Sequence, residues 1–343
     1  MCKQVIFSIF ATGNTITDQK VDLIEKRGAH LAPAKLMGFH LEANETTSDG
    51  LKRIVLEQID KALRSLSTST KSIDNAIHDG RVCLKKIRAV LRLVEFNLGE
   101  DTFDRENKTY RDAGRVLSSV RDSAAMVETI DKLIGRFENQ LDPSAFANLR
   151  RPLLRSKQNK KGEKIKALAK ASKSIKAARR RVNSWPLKHD GFSAVHGGLE
   201  DIYRRGRKDL SRAYDKPTVK NFHKWRKEVK SLRYEIRILR EFWPELMKTA
   251  SGEIDKLGDY LSDLHDLAIL REKVLEHGAS IDKSVDLEAL VALIDQRSEE
   301  LKIIAKPAGQ RVYAEKPKIF ARRHRVYWDA WKKEASTNPI AEG

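Results

Sequence analysis

The chain has 343 residues, enough to bury the core of one large domain or of two medium ones. Its 67 Lys and Arg residues against 48 Asp and Glu residues give a formal net charge of +19. This excess lies between Arg150 and Arg240, where 29 basic residues accompany 8 acidic ones. A basic region of this size indicates an anionic partner and argues against a neutral interaction surface.

The composition also excludes several classes of protein. Two cysteines, Cys2 and Cys83, cannot form a disulfide framework, which suits a reducing compartment. No apolar run approaches the roughly 18 residues of a membrane-spanning helix, so we expect a cytoplasmic protein without a membrane partner. Residues 1–37 lack sustained periodicity and are interpreted as an N-terminal extension.

In chain order, hydrophobic periodicity first predicts a helix over about residues 50–66. A second helix follows and ends before Gly99, in the C-terminal position that glycine favours. A third is predicted over about residues 103–141. Lysines dominate residues 150–181, which we interpret as a connector that becomes a solvated helix. Whether this connector touches a ligand stays open.

The second part of the chain continues in the same way. A helix opens at the pair Gly197-Gly198 and ends near residue 214. Pro217 and Thr218 then resemble the start of a further helix. Three more helices are predicted, over about residues 245–276, over about residues 284–304 and from Pro317. Trp328 and Trp331 in the last helix are interpreted as core residues.

A pattern of polar residues occurs twice, 145 positions apart. Successive residues are spaced by 3, 4, 3 and 4 positions, which keeps them on one face of a helix. The two sets, called the first and the second ladder below, are His78, Arg81, Lys85, Arg88 and Arg92, and His223, Arg226, Lys230, Arg233 and Arg237. An apolar stripe beside each ladder predicts a helix that buries one face and presents cations next to it.

A charged stripe is usually the solvated face of a helix, and this stays the alternative for any single stripe. Solvated faces commonly mix signs, because like charges four residues apart repel one another. The ladders contain one sign only, and they recur with the same apolar phase. We therefore interpret them as a surface that meets a polyanion. Arg204, Arg207 and Lys208 share a face ahead of the second ladder and are predicted to add to it.

The repeat extends past the ladders into the helix that follows each of them. Residues 117–124 and 261–268 are similar at a shift of 144 positions, which indicates an internal duplication. Asp122 and Asp266 recur within it and are expected to hold a ladder cation in place. Because no segment shows the alternation of a strand, the predicted fold is all-α, with two pseudo-symmetric helical bundles around a basic central cavity.

The sequence lacks the motifs of the common enzyme classes. There is no Gly-x-x-x-x-Gly-Lys-Ser/Thr loop, no Gly-x-Gly-x-x-Gly turn and no His-Glu-x-x-His helix. The nine histidines do not cluster with cysteines or carboxylates at the spacing of metal ligands. We therefore expect no catalytic residue, no metal and no cofactor.

The two ladder segments resemble a known family. The segments that begin Ile77-His78-Asp79-x-Arg81 and Phe222-His223-x-x-Arg226 are similar to the paired signatures of the CHAD domain, the conserved histidine α-helical domain. Residues 121–122 and 265–266 resemble its second recurring element, and residues 199–207 resemble the helix before the second signature. The chain departs from the signatures at Cys83, and at Ser231 where the first half has Lys86.

The resemblance covers residues 38–335, with halves over about 38–150 and 191–335, a basic connector over about 151–190 and a tail at 336–343. It implies a stand-alone, non-catalytic protein that binds inorganic polyphosphate and associates with polyphosphate granules. It adds three residues to the predicted binding site, namely Lys86, Arg121 and Lys227. Two alternatives stay open: a nucleic-acid-binding protein that contacts the phosphate backbone, and an enzyme that processes polyphosphate.

Overall fold

The computed structural model describes residues 38–67, 72–118, 122–137, 161–277 and 287–337. Regular structure in these ranges is helical and includes no strand, which confirms the all-α prediction. The α-helices are α1 (Thr47–Ser67), α2 (Ile73–Leu93), α3 (Glu95–Leu98), α4 (Glu100–Ser118), α5 (Asp122–Arg136), α6 (Lys161–Arg179), α7 (Ser193–Asp215), α8 (Val219–Ile238), α9 (Pro244–His277), α10 (Leu287–Val312) and α11 (Pro317–Thr337). The predicted N-terminal extension over residues 1–37 lies outside the described residues. None of the described helices is long and apolar enough to cross a membrane.

The ladder helices α2 and α8 begin at hydroxyl caps. Ser72 Oγ accepts a hydrogen bond from the backbone N–H of Asn75 at 3.2 Å. Thr218 Oγ1 accepts the equivalent bond from Asn221 at 3.2 Å, as its place after a proline predicts. The first ladder helix was predicted to continue to residue 98, but α2 ends earlier and the short helix α3 completes the segment. Gly99 follows α3 with a φ of 83°, which confirms the predicted stop.

Two sets of four helices pack in the same cyclic order. In the first set α1 packs against α2, α2 against α4, α4 against α6, and α6 against α1. In the second set α7 packs against α8, α8 against α9, α9 against α10, and α10 against α7. The ladder helix is the second member of both sets. Helix α5 packs against α9, and α11 packs against α7.

Two segments differ from their predictions. Where the sequence predicts one helix over residues 103–141, the described part of that range forms the two helices α4 and α5. The basic connector contains α6, and this helix is not merely solvated. It buries Ala171, Ile175 and Ala178 completely, because α1 and α4 cover one of its faces. The small residues let α6 approach its neighbours closely. Its lysines are mostly exposed, but Lys164 is buried and pairs with Asp74 on α2 at 2.7 Å.

The beginning of α7 lies against the end of α2. A Cβ atom added at Gly198 would lie 2.0 Å from the carbonyl oxygen of Leu93, so only glycine permits this approach. Helix α7 starts at Ser193, and the glycine pair that was predicted to open it lies inside its first two turns. The glycine pair therefore allows α7 to cross α2 at close range. It does not mark the start of a helix.

The core follows the predicted apolar stripe. Ile77, Ile87 and Leu91 on α2 are fully buried. Trp328 on α11 is 6% exposed, and its ring centroid lies 4.9 Å from that of Phe242. This arrangement confirms the interpretation of that tryptophan as a core residue. The apolar phase of each ladder helix thus fixes the direction in which its cations point.

Replacing Gly198 with Ala should destabilise the protein, because the added Cβ would collide with backbone of α2. We expect the free energy of unfolding to fall by about 1–3 kcal/mol, the usual cost of overpacking. The control is Gly252→Ala in α9, where an added Cβ would meet no atom within 4 Å. The control should gain about 0.5–1 kcal/mol. Equal values in chemical denaturation for the two variants would contradict the close crossing.

Candidate anion-binding site

The two ladder helices pack against each other, and their polar residues meet at the contact. Arg92 on α2 forms an ion pair with Glu228 on α8 and donates a hydrogen bond to Ser231 Oγ at 2.7 Å. His78 and His223 lie in the first two turns of their helices, before this contact. The ladders therefore share an interface and do not lie on unrelated surfaces.

Cations from both ladders surround Lys230. This residue is half-buried, and burial, followed by the positive charges of Arg226 and Lys85, lowers its pKa to about 7. Arg233 lowers the pKa further, and Asp266 on α9 opposes the shift. Because Lys85 belongs to α2, the repulsion acts across the contact between the two ladder helices.

Lys86 extends this group of cations toward α1. Burial lowers its pKa, and so do Lys61, Arg237 and Arg233. The Nζ atom of Lys86 also lies 4.6 Å from the ring centroid of Phe39, a distance at which a cation is attracted to an aromatic ring. Positive charges from α1, α2 and α8 therefore converge on one region.

Two further ladder arginines are held in place by neutral partners. Arg88 donates from Nε to Asn107 Oδ1 at 2.9 Å, and Arg226 donates from Nε to Ser262 Oγ at 3.2 Å. Burial is the main cause that lowers the pKa of each guanidinium. Asp266 partly offsets this effect at Arg226. A bound anion would favour both charges.

Carboxylates neutralise another part of the ladders. Asp255 on α9 forms ion pairs with Arg233 and with Arg237, the second at 2.7 Å. Glu228 holds Arg92 in the same way. These acids keep three ladder arginines oriented at the interface, and a polyanion that binds there must share or displace them.

The histidine of the second ladder has an aromatic partner. The rings of His223 and His265 have centroids 4.4 Å apart, and the Nδ1 atoms of both are buried without a hydrogen-bond partner. Burial, followed by Arg226, lowers the pKa of His265 to about 4. Burial and the neighbouring cations Lys227 and Arg226 lower the pKa of His223 as well. Both rings are therefore neutral at pH 7, whereas His78 of the first ladder is exposed.

A cavity of about 550 Å³ opens beside this histidine pair, between the start of α8 and helices α9 and α10. His223 and His265 line it together with apolar side chains such as Phe222 and Leu264. It includes only one ladder residue. The cavity is consequently a separate feature from the interface at which the ladder cations meet.

The remaining predicted residues lie in several places. Lys85 and Lys227 are exposed, and Arg81 is half-buried. The three predicted cations of α7 are exposed as well, with Arg204 donating to Asp201 Oδ1 at 2.7 Å. The other two are Arg207, which donates to the backbone oxygen of Glu315 at 2.9 Å, and Lys208. Arg121 lies outside the described residues.

Sequence reasoning missed two charged residues next to the ladders. Arg205 forms ion pairs with Asp201 and with Glu95. Glu235 on α8 is 0% exposed, neither of its carboxyl oxygens has a hydrogen-bond partner, and burial raises its pKa well above the usual value. One signal could have revealed Glu235: the equivalent position of the first half holds the apolar residue Val90.

The fold and this interface define an all-α protein that gathers cations from two helices in contact. Residues 53–275 match the CHAD domain family, and the chain belongs to that family. The fold is similar to that of PptA from Streptomyces chartreusis, with a TM-score of 0.54 and 16% identity over 79% of this chain and 100% of that one. The CHAD domain from the plant Ricinus communis has a TM-score of 0.51 and 16% identity over 88% of this chain and 97% of its own. At such identity the likeness shows the fold alone, and no curated protein matches the chain.

Replacing Asp255 with Asn should release two ladder arginines from their carboxylate. We expect the free energy of unfolding to fall by about 1–3 kcal/mol, the scale of hydrogen bonds to charged groups. The affinity for a polyanion should rise, because the freed cations need no longer be shared. The control is Asp259→Asn, an exposed residue one turn further along α9. If thermal unfolding and anion titration do not separate the two variants, the ion pairs have no such role.

Proposed function

We propose that the chain binds inorganic polyphosphate, without catalysing its turnover, through the ladder cations where α2 and α8 meet. The observation that carries this proposal is the mutual repulsion of Lys85, Arg226 and Lys230 at a half-buried interface. Holding these like charges together does not by itself stabilise the folded protein. A bound polyanion would reverse the effect, because an opposite charge nearby favours the charged form of each group.

Several features favour a chain of phosphates over other anions. The ladders present cations in a row, as a linear polyanion requires. The aromatic residues of α8 lie in the apolar phase, with Trp225 fully buried and Phe222 only 5% exposed. These two rings are therefore not presented on the ladder face as the stacking platforms that single-stranded nucleic-acid binders use. Membership of the CHAD family points to the same ligand through the resemblance of the ladder segments.

The same cyclic order of packing in the two helix sets supports the internal duplication. A duplicated bundle would bring the two ladder helices together about an approximate twofold axis. The convergence of their cations is what such symmetry produces, and we propose that the space between the ladders is the basic binding cavity. The neighbouring acids support a non-catalytic role, because Asp255 and Glu228 hold arginines and are not open to a divalent cation.

A second candidate is duplex nucleic acid bound through its phosphates. The exposed lysines of α6, which include Lys166, Lys170 and Lys173, favour it. Backbone contacts to a duplex need only cations. These lysines belong to a helix other than the ladder helices, so the two candidates predict different sensitive residues.

Competition at equal phosphate and near-physiological salt tests both candidates. Long-chain polyphosphate should displace duplex DNA and not the reverse, with an affinity that falls steeply as salt rises, because each neutralised phosphate releases counterions. Lys85→Glu and Arg226→Glu should weaken polyphosphate binding by roughly tenfold or more, since each reversal removes and opposes a contact. The matched control is Lys170→Glu on α6, and circular dichroism checks the fold. Equal losses in all three variants would refute a ladder site.

Polyphosphate binding should be accompanied by proton uptake, because the pKa of unliganded Lys230 is about 7. A polyanion raises this pKa, so affinity should rise as pH falls from about 9 to 7. Calorimetry in buffers of different ionisation enthalpy measures the uptake. Lys230→Arg should bind with much less uptake, since arginine stays charged, whereas the control Lys224→Arg should behave as the native protein. Unchanged uptake in Lys230→Arg would contradict this assignment.

The proposal includes a location. A cytoplasmic protein that binds long-chain polyphosphate should collect on polyphosphate granules. Fluorescence microscopy of a tagged protein tests this, and the Lys85→Glu variant should lose the granule signal along with its affinity. A granule signal that persists in the variant would mean that another surface directs the protein there.

A further inference from the structure

The cavity beside the second ladder has a size and a lining that inorganic polyphosphate does not use. Its volume of about 550 Å³ falls within the roughly 300–1,000 Å³ of small-molecule sites. Helices α8 and α9 supply apolar side chains to its wall, namely Phe222, Leu261, Leu264, Ala268 and Leu275. A chain of phosphates has no group that gains from such a surface. The lining therefore indicates a ligand with an apolar or aromatic part.

Two imidazole rings also line the cavity, beside polar residues of α9 and α10, namely Arg271, Glu272, Asp295, Ser298 and Lys302. His223 and His265 lie 4.4 Å apart, and the Nδ1 atom of each is buried without a hydrogen-bond partner. Because these nitrogens are buried, the rings can contact a ligand in the cavity only through their other atoms, which give the wall an aromatic part beside Phe222. Because both rings are neutral, they can stack against a heteroaromatic ring without the cost of burying a charge.

The cations of the second ladder adjoin this wall. His223 is itself a ladder residue, and Arg226 follows it by one helical turn. The positive charges of Arg226 and Lys230 lower the pKa of His265, so both lie within electrostatic reach of the cavity. A molecule with an aromatic end in the cavity would thus direct a charged end toward these two cations.

We propose that this cavity holds the base of a nucleoside polyphosphate whose phosphates lie on Arg226 and Lys230. The inference rests on the proposed function, because the phosphates use cations of the same ladder. It extends that function to an organic ligand that would compete with the inorganic chain at one end of the site. The base would stack on the histidine rings.

An alkyl diphosphate shares the phosphate chemistry and is the other source of a ligand with an apolar part. The rings of Phe222, His223 and His265 favour the base, because a planar aromatic ring stacks on them and an alkyl chain does not. The experiment therefore compares adenosine triphosphate, inorganic tripolyphosphate and geranyl diphosphate, each titrated into the full chain without Mg²⁺. The triphosphates carry similar charge, so their difference reports on the base alone.

Adenosine triphosphate should bind about tenfold more tightly than tripolyphosphate, since stacking of one base contributes roughly 1–3 kcal/mol. Ala268→Phe, which fills the cavity, should remove this advantage and leave the affinities for tripolyphosphate and long-chain polyphosphate unchanged. The control is Ala292→Phe, at an exposed position of α10 that does not line the cavity. It should bind all three ligands as the native protein does.

Equal affinities for adenosine triphosphate and tripolyphosphate would overturn the inference, and so would equal losses of both in Ala268→Phe. Tighter binding of geranyl diphosphate than of adenosine triphosphate would also overturn it, in favour of an alkyl ligand. Long-chain polyphosphate binding in any of these cases would leave the proposed function in place. If long-chain polyphosphate does not bind while the nucleotide still binds in the cavity, the proposed function is refuted. The nucleotide site in the cavity would remain.

Discussion

The repulsion between like charges at the contact of α2 and α8 governs the arrangement of the whole site. Positive groups a few ångströms apart repel strongly when burial removes the water that would screen them. Burial lowers the pKa of Lys230 most, and the positive charges of Arg226 and Lys85 lower it further. Asp255 and Glu228 offset part of the repulsion by holding arginines. An anionic ligand can relieve the repulsion that these acids do not offset, and this relief favours its binding.

The two helix sets share an order of packing, and yet their sites are not equivalent. His78 is exposed, whereas His223 is half-buried against His265 and beside a cavity. At the position where the second half buries Glu235, the first half buries Val90. One consequence is functional: a shared ladder can hold a uniform chain of phosphates, while the second half alone adds features suited to a ligand with a distinct end.

Local patterns allowed much of this fold to be predicted, because helix phase and helix ends are set by neighbouring residues. The buried stripe of α2, the stop at Gly99 and the family resemblance all follow from short segments. Long-range packing was less accessible. The place of Gly198 inside α7 depends on the approach of α2, and the ion pair of Arg205 with Glu95 depends on the position of α3. Neither partner can be recognised from spacing along the chain.

The central claim is that one phosphate chain contacts both ladder helices at once. A crystal structure of the protein with a short polyphosphate bound tests this most directly. The account predicts phosphate oxygens within hydrogen-bonding distance of Lys85 on α2 and of Lys230 on α8 in the same bound chain. Polyphosphate that contacts a single ladder helix, or that lies only on the exposed lysines of α6, would contradict it.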